Sequence, residues 1–78
     1  MGDERVEVTA YSGFRGEETP RSFILHGEKV EVLEIPERWI EEEFKGKGRK
    51  RFFRVKGSDG YVHKLYYDEG KKAWFMSV

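Results

Sequence analysis

Residues 51–67 read RFFRVKGSDGYVHKLYY. Apolar and polar residues nearly alternate, break at Ser58-Asp59-Gly60, and alternate again. A period of two is that of a half-buried strand. Asp tolerates turn conformations and Gly supplies positive φ, so the break reads as turn chemistry. The stretch therefore predicts a hairpin with strands at 50–56 and 61–67, and it sets the pattern for the rest of the chain.

Residues 5–11, RVEVTAY, place Val6 and Val8 on one face. SGFRGEETP, with two Gly and a closing Pro20, reads as a loop. RSFIL at 21–25 is short and apolar, and His26-Gly27-Glu28 is a turn. KVEVLEI at 29–35 puts Val30 and Val32 on one face, then switches to Leu33 and Ile35. That switch predicts a bulge or burial on both sides. PERWIEEEF at 36–44 fits two conformations. Pro36 suits the first position of a short helix, with Glu37 in its favourable first turn. Alternatively Ile40, Glu42 and Phe44 share a strand face, the reading that the following KGKG hairpin loop favours. A last strand at 72–77 carries Trp74 and Met76 on one face, after a tight DEGKK turn.

Short strands joined by hairpin turns predict an all-β antiparallel meander. In 78 residues a single sheet must curl to bury its aromatic face. The expected architecture is a small rolled sheet or half-open barrel of five to six strands, a single small β-domain over residues 1–78. The expected core is Val6, Val8, Phe23, Leu25, Val30, Val32, Trp39, Phe53, Val55, Leu65, Trp74 and Met76.

Charged residues are 38% of the chain, but 15% is aromatic, which argues against disorder. There is no Asn, Gln or Cys. Depletion of thermolabile residues beside abundant Glu, Lys and Arg is a thermophile-like composition. Without Cys there is no disulfide framework or thiolate metal site. No run approaches the ~18 apolar residues of a membrane span. The start, MGDERVEV, lacks an apolar signal region, and its Gly2 is not followed by the Ser or Thr of a myristoylation motif. A cytoplasmic protein is expected, with no membrane partner.

The residue types of catalysis are present without their contexts. His26 and His63 are isolated and form no ligand spacing; His63 reads as a packed ring among Tyr61, Leu65 and Tyr67. Ser12, Ser22, Ser58 and Ser77 lack a nucleophile elbow or Ser-x-x-Lys setting. Glu41-Glu42-Glu43 is a run of like charge, the mark of a solvated face. No phosphate-loop pattern occurs. No catalytic residue, metal site or cofactor is expected.

Charge is more informative. Residues 1–44 hold 12 acidic and 5 basic residues, net −7, and residues 45–78 hold 3 acidic and 10 basic, net +7. Within the basic half, Lys45, Lys47, Arg49, Lys50, Arg54 and Lys56 surround Phe52, which the alternation turns away from Phe53 and Val55. Cations that track phosphates beside a ring that stacks on bases are the parts of a single-stranded nucleic-acid site. The competing reading pairs Glu31, Glu41 or Glu43 across strands with Arg49, Arg51 or Arg54. The near-neutral total, which lacks a basic footprint, favours internal pairing.

The run ERW…RKRFFRVKGSDGYVHKLYYD…KAWFM, preceded by TPRSFILHGEKVEVLEI, resembles an uncharacterised small β-domain family. Its pattern is P-x-x-F, a Gly turn, a Val-rich strand, a Trp, then F-R-V…D-G…L-Y…W. Here those positions are Pro20, Phe23, Gly27, Trp39, Phe53, Arg54, Val55, Gly60, Leu65 and Trp74, within residues 19–76. Such domains occur as short stand-alone proteins, and a similar one ends Y-family DNA polymerase-like proteins of bacterial mutagenesis cassettes. The resemblance implies an accessory module near DNA-handling machinery and carries no catalytic residue. This sequence departs in lacking a polymerase region, and in having Glu43-Phe44 where a Trp doublet often precedes the F-R-V strand.

The expectation is a non-catalytic binding module, acting on an unknown protein partner, as a monomer or weak homodimer; the other class is a structural or interaction protein that works through its sheet edge. The alternative is weak binding of single-stranded DNA or RNA through the basic 45–56 stretch, linked to the handling of DNA damage.

Overall fold

A computed structural model describes residues 3–12, 18–42 and 48–77. They form seven strands: β1 (Glu4–Arg5), β2 (Glu7–Ser12), β3 (Glu18–Leu25), β4 (Glu28–Glu42), β5 (Arg49–Gly57), β6 (Val62–Asp68) and β7 (Ala73–Met76). All pairings are antiparallel, in the order β1-β7-β6-β5-β4-β3-β2. The two ends of this sheet are consecutive in the chain and separated by Val6 alone. The sheet therefore curls strongly, a half-barrel whose ends meet at that residue. The Val6 N–H donates to the Trp74 carbonyl at 3.1 Å, and its side chain joins the core.

Seven strands replace the expected five to six because the 5–11 run is divided at this corner. Glu4–Arg5 pairs with β7 while Glu7–Ser12 pairs with β3. Conversely, 29–35 and 36–42 fuse into the single strand β4, so the helical alternative for Pro36 onward is excluded as far as Glu42. β3 starts at Glu18, inside the stretch read as loop. Pro20, which has no N–H to give a ladder, lies opposite Ala10 where the register slips between Thr9 and Ala10.

The turns follow from their residues. His26 and Gly27 both have positive φ, 50° and 85°, and join β3 to β4 in a two-residue loop. This is the backbone twist that a short hairpin requires. At the hairpin of β5 and β6 Gly60 takes φ 89°. Asp68, at the end of β6, accepts the N–H groups of Gly70 and Lys71 at 2.9 and 3.1 Å and organises the last turn.

The concave face holds the core: Val6, Phe23, Val30, Phe53, Val55, Leu65 and Trp74 are buried, with Val8, Leu25, Val32, Ile35, Tyr67 and Met76 against them. Trp39 is corrected: it lies half-buried outside this cluster, stacked on Phe52. The cause is in β4. Val32 opposes Gly57, Glu34 opposes Lys56 and Glu37 opposes Arg54. Each step gives β4 one residue more than β5, and each extra residue reverses the face a side chain takes. Val30 and Val32 point in, Leu33 is left exposed, Ile35 points in again, and Trp39 then falls outward.

Acidic β4 lies directly against basic β5. Arg54 meets Glu37 at 2.9 Å and Arg49 meets Glu42 at 4.0 Å, while Arg51 meets Glu69, beyond β6, at 2.6 Å. Networks of this kind gain value with temperature. A thermal midpoint above about 65 °C is expected for this chain, beyond the usual mesophile range. Circular dichroism on heating measures it, and a midpoint near 50 °C would remove the thermophile inference.

Candidate functional site

The convex face carries a row of rings. Trp39, Phe52, Tyr66 and Phe75 are successive register partners across β4, β5, β6 and β7. Their centroids are 5.3, 4.9 and 5.3 Å apart, and the Trp39 and Phe52 planes differ by 5°. Cross-strand aromatic pairs of this kind contribute about 0.5–1.5 kcal/mol each beyond their buried area. Cations cap the row: Lys50 over Tyr66 at 5.3 Å, Lys64 over Phe52 at 5.5 Å, Arg54 over Trp39 at 5.8 Å and Lys71 over Phe75 at 5.4 Å. The Tyr66 hydroxyl donates to Asp3, and burial together with that carboxylate pushes its pKa far up. Tyr66 is thus held as a donor.

The residues of the expected nucleic-acid stretch separate in the structure. Lys45 and Lys47 lie outside the described residues. Arg49 and Arg54 are ion-paired, as is Arg51 between them. The cross-strand partners are Glu37 and Glu42 rather than Glu31 or Glu41; Glu43 lies outside the described residues. Lys50 is half-buried against Tyr66, and Lys56 is exposed opposite Glu34. Phe52 does turn away from the core, but it is only 7% exposed, clamped between Trp39 and Tyr66 beneath Lys64. An exposed stacking ring is therefore corrected to a buried one. Neighbouring strands supply rings at the same register level, a relation that one strand's alternation cannot reveal.

The other feature is an edge. β3 pairs with β4 only over Glu28–Glu31, and the remainder of β4 is paired with β5 alone. Among the described residues, the β3-facing edge of 33–42 has no ladder partner. Pro36, without an N–H, is tolerated in a long strand where it sits at such an edge. Leu33 and Ile40 are exposed, at 62% and 47%. Beside this edge opens a cleft of about 280 Å³, lined by Thr19, Arg38, Trp39, Ile40, Arg51 and Phe53. Arg38 faces Phe53 across the register, its guanidinium 5.8 Å from the ring. A second groove, at the Val6 corner, mixes Arg5, Glu7, Lys29 and Lys72 over a floor of Val6 and Phe23.

The Ser58-Asp59-Gly60 turn has a structural occupation. The Ser58 Oγ accepts the Glu31 N–H at 3.0 Å, and the Ser58 N–H donates to the Glu31 carbonyl at 2.8 Å. The turn thus fastens to β4 at the point where β3 leaves it. Asp59 accepts the Tyr61 N–H at 3.1 Å and meets His63 Nε2 at 2.9 Å, and His63 stands edge-on to Phe23. Desolvation in the turn pushes the Asp59 carboxyl up, but the Tyr61 N–H and His63 outweigh it and hold the pKa below its usual value. A lowered carboxyl pKa contributes stability above the unfolded value, near 3.9, and loses it as pH falls through the folded value. Asp59→Asn is therefore less stable than the parent at pH 7, and the difference shrinks below about pH 4. Urea midpoints at both pH values check this; a difference unchanged with pH would contradict it. Among the described residues no group of three or more His, Asp or Glu could hold a metal ion.

Fold and site together define a small all-β domain: a curled antiparallel sheet with a ringed convex face and, among the described residues, an unpaired edge along 33–42 of β4. The chain matches the family described as a domain of unknown function, DUF6504, over residues 1–77, and it belongs to that family. No curated protein and no solved structure matches it.

Proposed function

We propose that this domain is a non-catalytic protein-interaction module that receives an extended segment of a partner along the free edge of β4. The carrying observation is that edge: a run of strand with main-chain groups unpaired among the described residues, exposed apolar side chains and a cleft alongside. Main-chain hydrogen bonds along such an edge give affinity, and pockets for alternate side chains give specificity. Exposed edges are otherwise a hazard that proteins blunt with Lys, Pro or short length. On this stretch Pro36, the two bulges between Val32 and Glu37 and the charged Glu37, Arg38, Glu41 and Glu42 work against self-pairing, while 37–42 keeps a regular register along β5. The resemblance to C-terminal domains of Y-family polymerase-like proteins supports an accessory setting beside DNA-handling machinery.

Lys50, Lys64 and Lys71, which form no ion pair among the described residues, support a second reading: weak single-stranded nucleic-acid binding on the convex face. One experiment separates the two. Random peptides displayed on phage are selected against the parent and against Leu33→Lys/Ile40→Lys, which charges the edge, and a labelled oligonucleotide is titrated into both at low and physiological salt. The strand-addition reading expects peptides enriched by the parent only and no oligonucleotide binding. Equal enrichment by both proteins contradicts it. Salt-sensitive oligonucleotide binding by both proteins transfers the function to the convex face.

A further inference from the structure

We propose that the segment received by β4 is selected by charge according to face: an aromatic residue opposite Trp39, acidic residues on either side of it, and basic residues beyond those. The inference rests on the strand-addition reading and specifies the partner's chemistry.

The ring row ends at Trp39, on the strand whose far edge is open. Adjacent strands lie about 4.8 Å apart. A residue directly opposite Trp39 on an added strand therefore meets that indole much as Phe52 does from the other side. A Phe, Tyr or Trp there extends the row by one ring and covers the half-buried face of Trp39. The indole is fixed for this, its Nε1–H donating to Glu41 at 2.9 Å and the Arg54 guanidinium lying over it.

Alternation then assigns the neighbours. Residues next to the partner's ring point to the concave side, into the cleft, where Arg38 and Arg51 stand with Ile40 and Phe53. Nearby Glu42 and Glu69 are already engaged, with Arg49 and Arg51. Arg38 makes no ion pair among the described residues, and its guanidinium lies against the Phe53 ring. A carboxylate entering this cleft supplies its missing counter-ion. Arg51 spends its Nε on Glu69 and keeps other N–H donors. Residues two places from the partner's ring return to the convex side. There they stand beside Glu37 and Glu41, which flank Trp39; Glu37 meets Arg54 through Oε1 and Glu41 accepts the Trp39 N–H through Oε2, and each keeps a second carboxylate oxygen. Lys or Arg fits at those positions, since unlike charges opposite one another stabilise a pair of strands and like charges destabilise it.

Two blocked peptides of identical composition and zero net charge test the assignment: Thr-Val-Lys-Glu-Phe-Glu-Lys-Val-Thr and Thr-Val-Glu-Lys-Phe-Lys-Glu-Val-Thr. Both read the same in either direction, so strand polarity does not enter. Labelled at one end and followed by anisotropy, the first is expected to bind about tenfold or more tighter than the second. Replacing its Phe by Ala weakens it by a similar factor. Arg38→Glu removes or reverses the preference, and the milder Arg38→Gln reduces it; circular dichroism confirms that both variants fold. Equal affinities for the two peptides overturn the charge assignment and leave strand addition standing. A preference that survives Arg38→Glu overturns the role of Arg38. Absence of binding by either peptide at about 1 mM overturns strand addition itself, and this inference with it.

Discussion

Trp74→Ala is expected to cost about 3–5 kcal/mol. Trp74 is 7% exposed on β7, with the Phe53 ring 5.6 Å and the Tyr67 ring 5.2 Å away. Its carbonyl also receives the Val6 N–H, so the residue sits where the two ends of the sheet meet. Removing the indole opens a cavity under that corner. The main-chain bond survives the substitution, yet nothing then fills the space that Val6, Phe53 and Tyr67 surround. Small domains bury little surface to begin with, so a loss of this size is a large part of the total. Urea unfolding of parent and variant measures it. Equal midpoints would show that the corner at Val6 is not where the sheet is held closed.

Gly57→Ala comes second, at about 1–3 kcal/mol. Gly57 is buried at the end of β5. A methyl group there would stand 2.7 Å from Val30 Cγ1 and 2.6 Å from the Asp59 carboxylate. Val30 belongs to the core and cannot retreat freely. Asp59 is held by Tyr61 and His63, so its movement breaks bonds in the turn. The glycine is needed for this close approach: the strand end, the turn and β4 converge within a few ångströms. Gly27→Ala is the contrast. No atom lies near its missing Cβ, and the cost there is the positive φ alone. If Gly57→Ala proves as stable as the parent, the packing of the Ser58-Asp59-Gly60 turn onto Val30 is wrong.

The hairpin of β5 and β6 is legible because both strands nearly alternate, pair without a bulge, and are joined by turn residues. Phe53, Val55 and Leu65 fall in the core as their parity requires. β4 was not legible in the same way. Two extra residues between Val32 and Glu37 change its parity twice, and nothing local announces the second change. Simple alternation therefore places Trp39 on the wrong side. Alternation turns Phe52 to the correct side but cannot show its cover, which comes from Trp39, Tyr66 and Lys64 on two other strands. The pairing of acidic with basic strands was readable from the charge halves. Which Glu meets which Arg depends on register, and the bulges set that. Which edge is open is not legible in the sequence: β3 leaves β4 beyond Ser22, its residues Glu18, Thr19 and Pro20 pairing with β2 alone, and β4 runs on past it.

The most direct measurement of the account is amide hydrogen exchange along β4, residue by residue, with and without the Lys-Glu-Phe-Glu-Lys peptide. In the free protein, amides between Leu33 and Glu42 that point away from β5 should exchange quickly, while their neighbours bonded to β5 stay protected. With the peptide bound, those fast amides alone should slow. Uniform protection of 33–42 in the free protein, or slowing confined to β5, β6 and β7, would contradict an open receiving edge.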